Sequence, residues 1–426
     1  MHTLTRSVVC RATPWLVALA HVATAVAQVQ APLTLGEALR IAETRAPGLS
    51  AADAAARGAR ELAVASGQLP DPILRAGIDN LPVSGSDAFS LTRDFMTMRR
   101  IGIMQEYVST DKRNARRSRG EREAERLEAE GQVLRAEMRA DVASAWYDRL
   151  YATQTEALLK ALADETAMQQ RATEAQVASG RASAADALSA RVSLALANDR
   201  ITAAQRQQRV ATARLARWLR EDAERPPAGD FGVRGDADVA AAPTFEPNGI
   251  PQLAVLTSQI DVADAALKVS ELDRNHNWSW EVSFGHREPN FSNMLSVGVS
   301  VPLPIAREYR QDREVAARIA QRDHARELLE DARRRYRAMY DTTRIEWQAV
   351  LDRRRDLEST LLPAVAQRID ATLAAYQGGQ QNLAAVLEAR RAAVDARLQI
   401  LDLEREAAKL HAQLRYLYGN AEGGKR

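Results

Sequence analysis

The chain has 426 residues, with 58 Lys and Arg against 56 Asp and Glu, a formal net charge of +2 and 5% aromatic residues. The two signs of charge are interleaved, which excludes a basic nucleic-acid-binding face, and the abundance of Ala, Arg, Leu and Glu favours long helices over a compact enzyme core. Beyond residue 27 no apolar run reaches the ~18 residues that a membrane-spanning helix needs, so a crossing of any membrane would have to be made by β-strands.

Residues 1–27 read as a secretory signal: Arg6 and Arg11 precede an apolar stretch from Pro14 to Val26, and the small residues Ala25 and Ala27 stand before Gln28. Cys10 is the only cysteine and lies ahead of that stretch, which argues against lipid anchoring and predicts a mature chain without thiol chemistry. In the segment expected as a first unit, 28–221, Thr34 caps a helix that restarts after Pro47 and is stopped by Gly67-Gln-Leu-Pro-Asp-Pro72. A strand is expected at Ile73 to Asp79, a turn at Leu81 to Ser86, a second strand at Arg99 to Val108, and then an unbroken helix from Asp111 to about Ser179.

Residues 222–249, rich in Pro, Gly and Asp and without periodicity, form the expected connection to a second unit, 250–419, with 420–426 as a tail. That unit repeats the order of the first. Trp278, Trp280, Val282 and Phe284 alternate with Ser279, Glu281, Ser283 and Gly285, and Leu295, Val297, Val299, Val301 and Leu303 alternate with Ser296, Gly298, Ser300 and Pro302. Period-two alternation of this kind makes a strand with one apolar and one small polar face. A helix follows from Gln311 to about Gln377, broken only at Pro363, and then a segment whose Leu383, Leu387, Val394, Leu398 and Leu401 suggest a coiled-coil seam.

The two units also share a sequence. The run from Ala175 through Gly180, Ser183, Asp186 and Leu188 to Arg191 recurs from Ala374 through Gly379, Asn382 and Leu387 to Arg390, without gaps and at a constant offset of 199 residues. Both copies join two long helices, so the chain reads as a tandem duplication of a helical hairpin with two strands. The fold class is therefore mainly α with a small β part. Four strands of this length can cross a hydrocarbon layer but cannot close a barrel, and an open sheet edge is not tolerated in lipid. Other copies of the chain must complete the barrel, and three copies, giving twelve strands and six hairpins, suit a hollow tube best.

On these residues the chain resembles the TolC family of outer-membrane efflux channels. The match rests on the duplicated tip, the helix-strand-strand-helix order in both halves and Leu361-Leu-Pro363 ahead of the second tip. The resemblance implies a homotrimer with a twelve-stranded barrel in outer-membrane lipid and a helical tunnel in the periplasm, which docks a periplasmic adaptor (membrane fusion) protein and an inner-membrane efflux pump. Gly67 to Pro72, Gly77-Ile-Asp-Asn-Leu-Pro82 and Asp94 to Met98 with Ile101 to Glu106 resemble the branch that serves heavy-metal efflux. The implied activity is passive conduction of metal cations or small toxic compounds. A soluble periplasmic scaffold or adaptor, and the exit duct of a protein secretion system, are the alternatives.

Candidate site residues follow from the resemblance. Gly180, Ser183, Gly379 and Asn382 form the tips expected to contact the adaptor. Asp186 and Glu388 occupy positions where the family rings the periplasmic entrance with carboxylates, which would favour cations by their field. Met96, Met98 and Met104 have the chemistry of soft-metal ligands but irregular spacing, and packing explains them better. The histidines show no ligand spacing, so no metal site is expected. Without a phosphate-binding glycine loop or a nucleophile elbow, neither a catalytic residue nor a cofactor is expected either.

Overall fold

The computed structural model describes residues 31–228 and 244–419. The expected signal segment, the middle of the expected connection (229–243) and the tail 420–426 lie outside the described residues. Helices α1 (Leu35–Arg45) and α2 (Pro47–Ser66) lead into β1 (Ile73–Asp79) and β2 (Met98–Tyr107), then α3 (Thr110–Ala178) and α4 (Ala184–Leu219). The second half runs α5 (Pro251–Asp273), β3 (Trp278–His286), β4 (Met294–Ser300), α6 (Gln311–Asp356), α7 (Leu362–Gln377) and α8 (Leu383–Gln413).

Helix α3 is 69 residues long, roughly 100 Å at the α-helical rise. Its counterpart in the second half is interrupted by a π turn at Leu357–Leu361 immediately before α7. Pro363 lies in the first turn of α7 and has no N–H for the carbonyl four residues back, which loosens the ladder where the wider turn appears.

Coiled-coil packing is built largely from alanine. On α4, Ala190, Ala197, Ala204 and Ala211 are buried at seven-residue intervals. On α8 a buried stripe runs through Val386, Ala389, Ala393, Ala396, Ile400, Leu403 and Ala407, alternating steps of three and four. The seam expected on α8 differs: Leu387, Leu398 and Leu401 are half-buried flanks, while Val394 is buried. Small residues let the helix axes approach closely, which pushes the leucines to the sides of the seam.

Trp146 and Trp347, one in each half of the chain, anchor separate clusters. Trp146 packs with Ile41, Val142 and Leu215 and donates its indole N–H to the Leu33 carbonyl at 3.0 Å. Trp347 packs with Tyr151, Tyr340 and Leu414.

The four strands form one antiparallel sheet in the order β1-β2-β3-β4. A buried Lys112 at the start of α3 ties this sheet to the helices: it donates to the Asn275 carbonyl and, at 2.8 Å, to Asn277 Oδ1. Asn277 in turn donates to Glu106 Oε1 at 2.7 Å. The end of β2 and the start of β3 are thereby locked to the helix ends beneath them.

Candidate functional site: a two-faced sheet above two hairpin tips

Register fixes which side chains share a face of the sheet. Leu74, Ile103, Val282 and Val297 stand in one cross-strand row, and Ala76, Ile101, Phe284 and Leu295 in the next. This face is apolar and uncovered: Leu295 and Val297 are 71% and 72% exposed. The opposite face carries Arg75, Gly102 and Ser283 in one row and Gly77, Arg100, Gly285 and Met294 in the next. Strand pleating puts the two sets on opposite sides, as a wall between lipid and water requires.

The apolar face ends in aromatic rings. Tyr107 and Trp278, paired across β2 and β3 at the helix end of the sheet, have ring centroids 5.3 Å apart. Phe95 and Phe291 meet at 6.5 Å in the loops at the other end. Met98 and Met104 lie on the polar face, where Met104 Sδ accepts from Arg75 Nη2 at 3.0 Å. Met96 lies in the loop before β2.

Both tips close with the same hydrogen bonds. Arg181 N donates to the Gln176 carbonyl and Gly180 N to Val177, while Gln380 N donates to Ala375 and Gly379 N to Tyr376. This is a Schellman closure, whose turning residue takes a left-handed conformation; φ is +70° at Gly180 and +72° at Gly379. Ser183 and Asn382 then cap the returning helices, accepting from Asp186 N at 3.2 Å and Ala385 N at 3.1 Å.

Asp186 has a local task. Its carboxylate accepts from Ser183 Oγ at 2.7 Å and from Ser183 N at 2.9 Å, completing a capping box. These bonds, the hydroxyl's first, hold its carboxyl below the usual range. The second tip has Ala385 at that position and no box. The Ser-x-x-Asp spacing from Ser183 to Asp186 is the sequence signal for this role, which the resemblance to a gate carboxylate overshadows.

Glu388 pairs instead with Arg368 across its own hairpin at 3.2 Å. In the first hairpin, Arg191 pairs with Glu174 at 3.1 Å. Two further pairs bridge the hairpins: Arg390 with Glu165 at 3.6 Å and Arg200 with Asp395 at 2.6 Å. Asp186 and Glu388 line one cleft between the hairpins, about 400 Å³ in volume, together with Gln176, Asn382 and Arg390. Among the described residues no group of three or more His, Cys, Asp or Glu is placed to hold a metal ion. None of their helices is long and apolar enough to cross a membrane.

A sheet with one lipid-compatible face, mounted on a pair of coiled-coil hairpins that end in exposed tips, is the architecture of one subunit of an outer-membrane channel. Residues 252–420 match the family described as outer membrane efflux protein. Solved structures of similar fold include CusC (TM-score 0.74, 13% identity, covering 90% of this chain and 92% of that one). VceC of Vibrio cholerae has a TM-score of 0.70 at 15% identity, covering 91% and 97%. The open state of MtrE of Neisseria gonorrhoeae has 0.71 at 15% identity, covering 91% and 89%. No curated protein matches the sequence. The outer membrane efflux protein match thus covers the second half of the chain, and the likeness in fold to these outer-membrane channels extends over nine-tenths of it.

Proposed function

We propose that three copies of the chain close into a twelve-stranded barrel above a six-hairpin tunnel, and that this homotrimer is the exit duct of a tripartite efflux system. The observation that carries this reading is the pair of free edges. The described sheet ends in β1 on one side and β4 on the other, and both edges belong to a sheet whose apolar face is uncovered. Because successive strands alternate in direction, β4 of one copy meets β1 of the next antiparallel, and cyclic closure leaves no edge in lipid. The half-buried leucines of α8 and the exposed stripe Leu188, Val192 and Leu196 on α4 offer apolar contact between neighbouring hairpins.

The two sequence units, 28–221 and 250–419, then supply alternating hairpins around the tube. Their tips at Gly180, Ser183, Gly379 and Asn382 face the periplasmic adaptor, and an inner-membrane pump supplies the energy. Asp186 and Glu388 contribute carboxylates to the entrance. The pairs Glu388–Arg368 and Arg390–Glu165 hold it closed, one within a hairpin and one between hairpins. Cations, including toxic metal ions, are the favoured cargo, on the strength of those carboxylates and of the resemblance along Gly67 to Glu106.

Outer-membrane fractionation tests the assembly: a heat-modifiable, trimer-sized band is expected, and purely soluble recovery without detergent would overturn it. Deleting the protein and measuring metal tolerance, drug tolerance and protein secretion in parallel tests the cargo, with loss of metal tolerance expected.

A further inference from the structure

The polar face of the sheet holds an ordered set of charges that the duct reading leaves unused. Arg75 on β1 reaches across the full width of β2 and places Nη1 2.9 Å from Glu281 Oε2 on β3. Arg100 on β2 pairs with Asp79 Oδ2 at 3.1 Å and lies 3.9 Å from Glu281 Oε1. Two guanidinium groups and two carboxylates thus form one chain of pairs across three strands. Glycine makes the room: Arg75 stands in register with Gly102, and Arg100 stands between Gly77 and Gly285. With no side chains at those points, both arginines lie along the wall. The lumen positions of β4 add no charge, being Met294, Ser296, Gly298 and Ser300.

We infer that Arg75, Arg100, Asp79 and Glu281 form a charge-balanced belt around the barrel lumen and set the charge preference for cargo leaving the outer membrane, separately from the entrance carboxylates. The inference rests on the trimeric barrel proposed above, in which three such sets alternate with three uncharged strips. Each set is neutral as it stands. Removing one member gives a ring of three uncompensated like charges, and a narrow, low-dielectric wall focuses their field on passing ions.

The test is the reversal potential of the purified trimer in planar bilayers under a salt gradient, with and without the Glu388→Gln background to separate the belt from the entrance. Glu281→Gln should lower the cation-to-anion permeability ratio about two- to threefold, and Arg100→Gln should raise it by a similar factor. The double variant Arg75→Gln/Glu281→Gln, again neutral, should return to the wild-type ratio. Conducting trimers whose ratio ignores both single changes overturn the belt. So does failure of every charge variant to form heat-modifiable trimers, because the set then only holds strand register. If the wild-type protein forms no pore at all, the duct reading fails, and the belt with it.

Discussion

Gly102 of β2 and Ser283 of β3 face each other on the polar side of the sheet so closely that a Cβ on Gly102 would stand 2.6 Å from Ser283 Cβ and 3.1 Å from its Cα. Ser283 is buried there, and backbone on both sides prevents relief by a rotamer change. Gly102→Ala should therefore separate β2 from β3 at a cost of about 1–3 kcal/mol. Gly298→Ala on β4, where a Cβ would meet nothing within 4 Å, is the matched control. The yield of heat-modifiable protein in the outer membrane should fall for the first and hold for the second.

At the second hairpin tip, adjacent glycines differ in what they tolerate. Gly379→Ala forces a side chain into the left-handed region and should cost about 1–2 kcal/mol. Gly378 has φ of −78° and only ordinary contacts for an added Cβ, so Gly378→Ala should be nearly neutral. Amide exchange at Tyr376 to Gln380 should accelerate in the first variant alone.

The capping box gives the first tip a pH dependence that the second lacks. The folded-state pKa of Asp186 is lowered from the usual 3.8, so its stabilisation is complete above that value and is lost as pH falls through the lowered one. Acidification should fray the start of α4 before that of α8, read as earlier loss of amide protection at Asp186 than at Ala385. Ser183→Ala should remove the difference and weaken the first tip by about 1 kcal/mol at neutral pH.

Much of this architecture is legible in the sequence because it rests on short periods. Alternation in 278–285 and 295–303 located β3 and β4, although β4 ends at Ser300, two residues before Pro302, which has no N–H for a ladder. The repeated Gly180 and Gly379 located both tips. Seam positions were misread because leucine is the stronger hydrophobic signal, whereas close helix approach selects alanine at Ala389, Ala393 and Ala396. Arg75 and Glu281 are 206 residues apart. Only the strand register brings them together, and no local pattern announces it.

Lipid-facing and lumen-facing positions of one strand should respond differently to charge. Val297→Arg places a cation on the apolar face near mid-strand and should cost about 2–4 kcal/mol. Ser296→Arg, one residue away on the polar face, should cost much less, since its head group stays in water. Folding titrations into lipid vesicles compare the two directly.

As a wall between lipid and a water-filled lumen, this sheet gives the two faces of β4 different access to water. Single cysteines placed along Met294–Ser300 in intact outer membranes, labelled with a membrane-impermeant maleimide, test it most directly. Labelling should alternate, strong at 296, 298 and 300 and weak at 295, 297 and 299. Uniform labelling of all positions, as on a soluble sheet, or the opposite alternation, would contradict it.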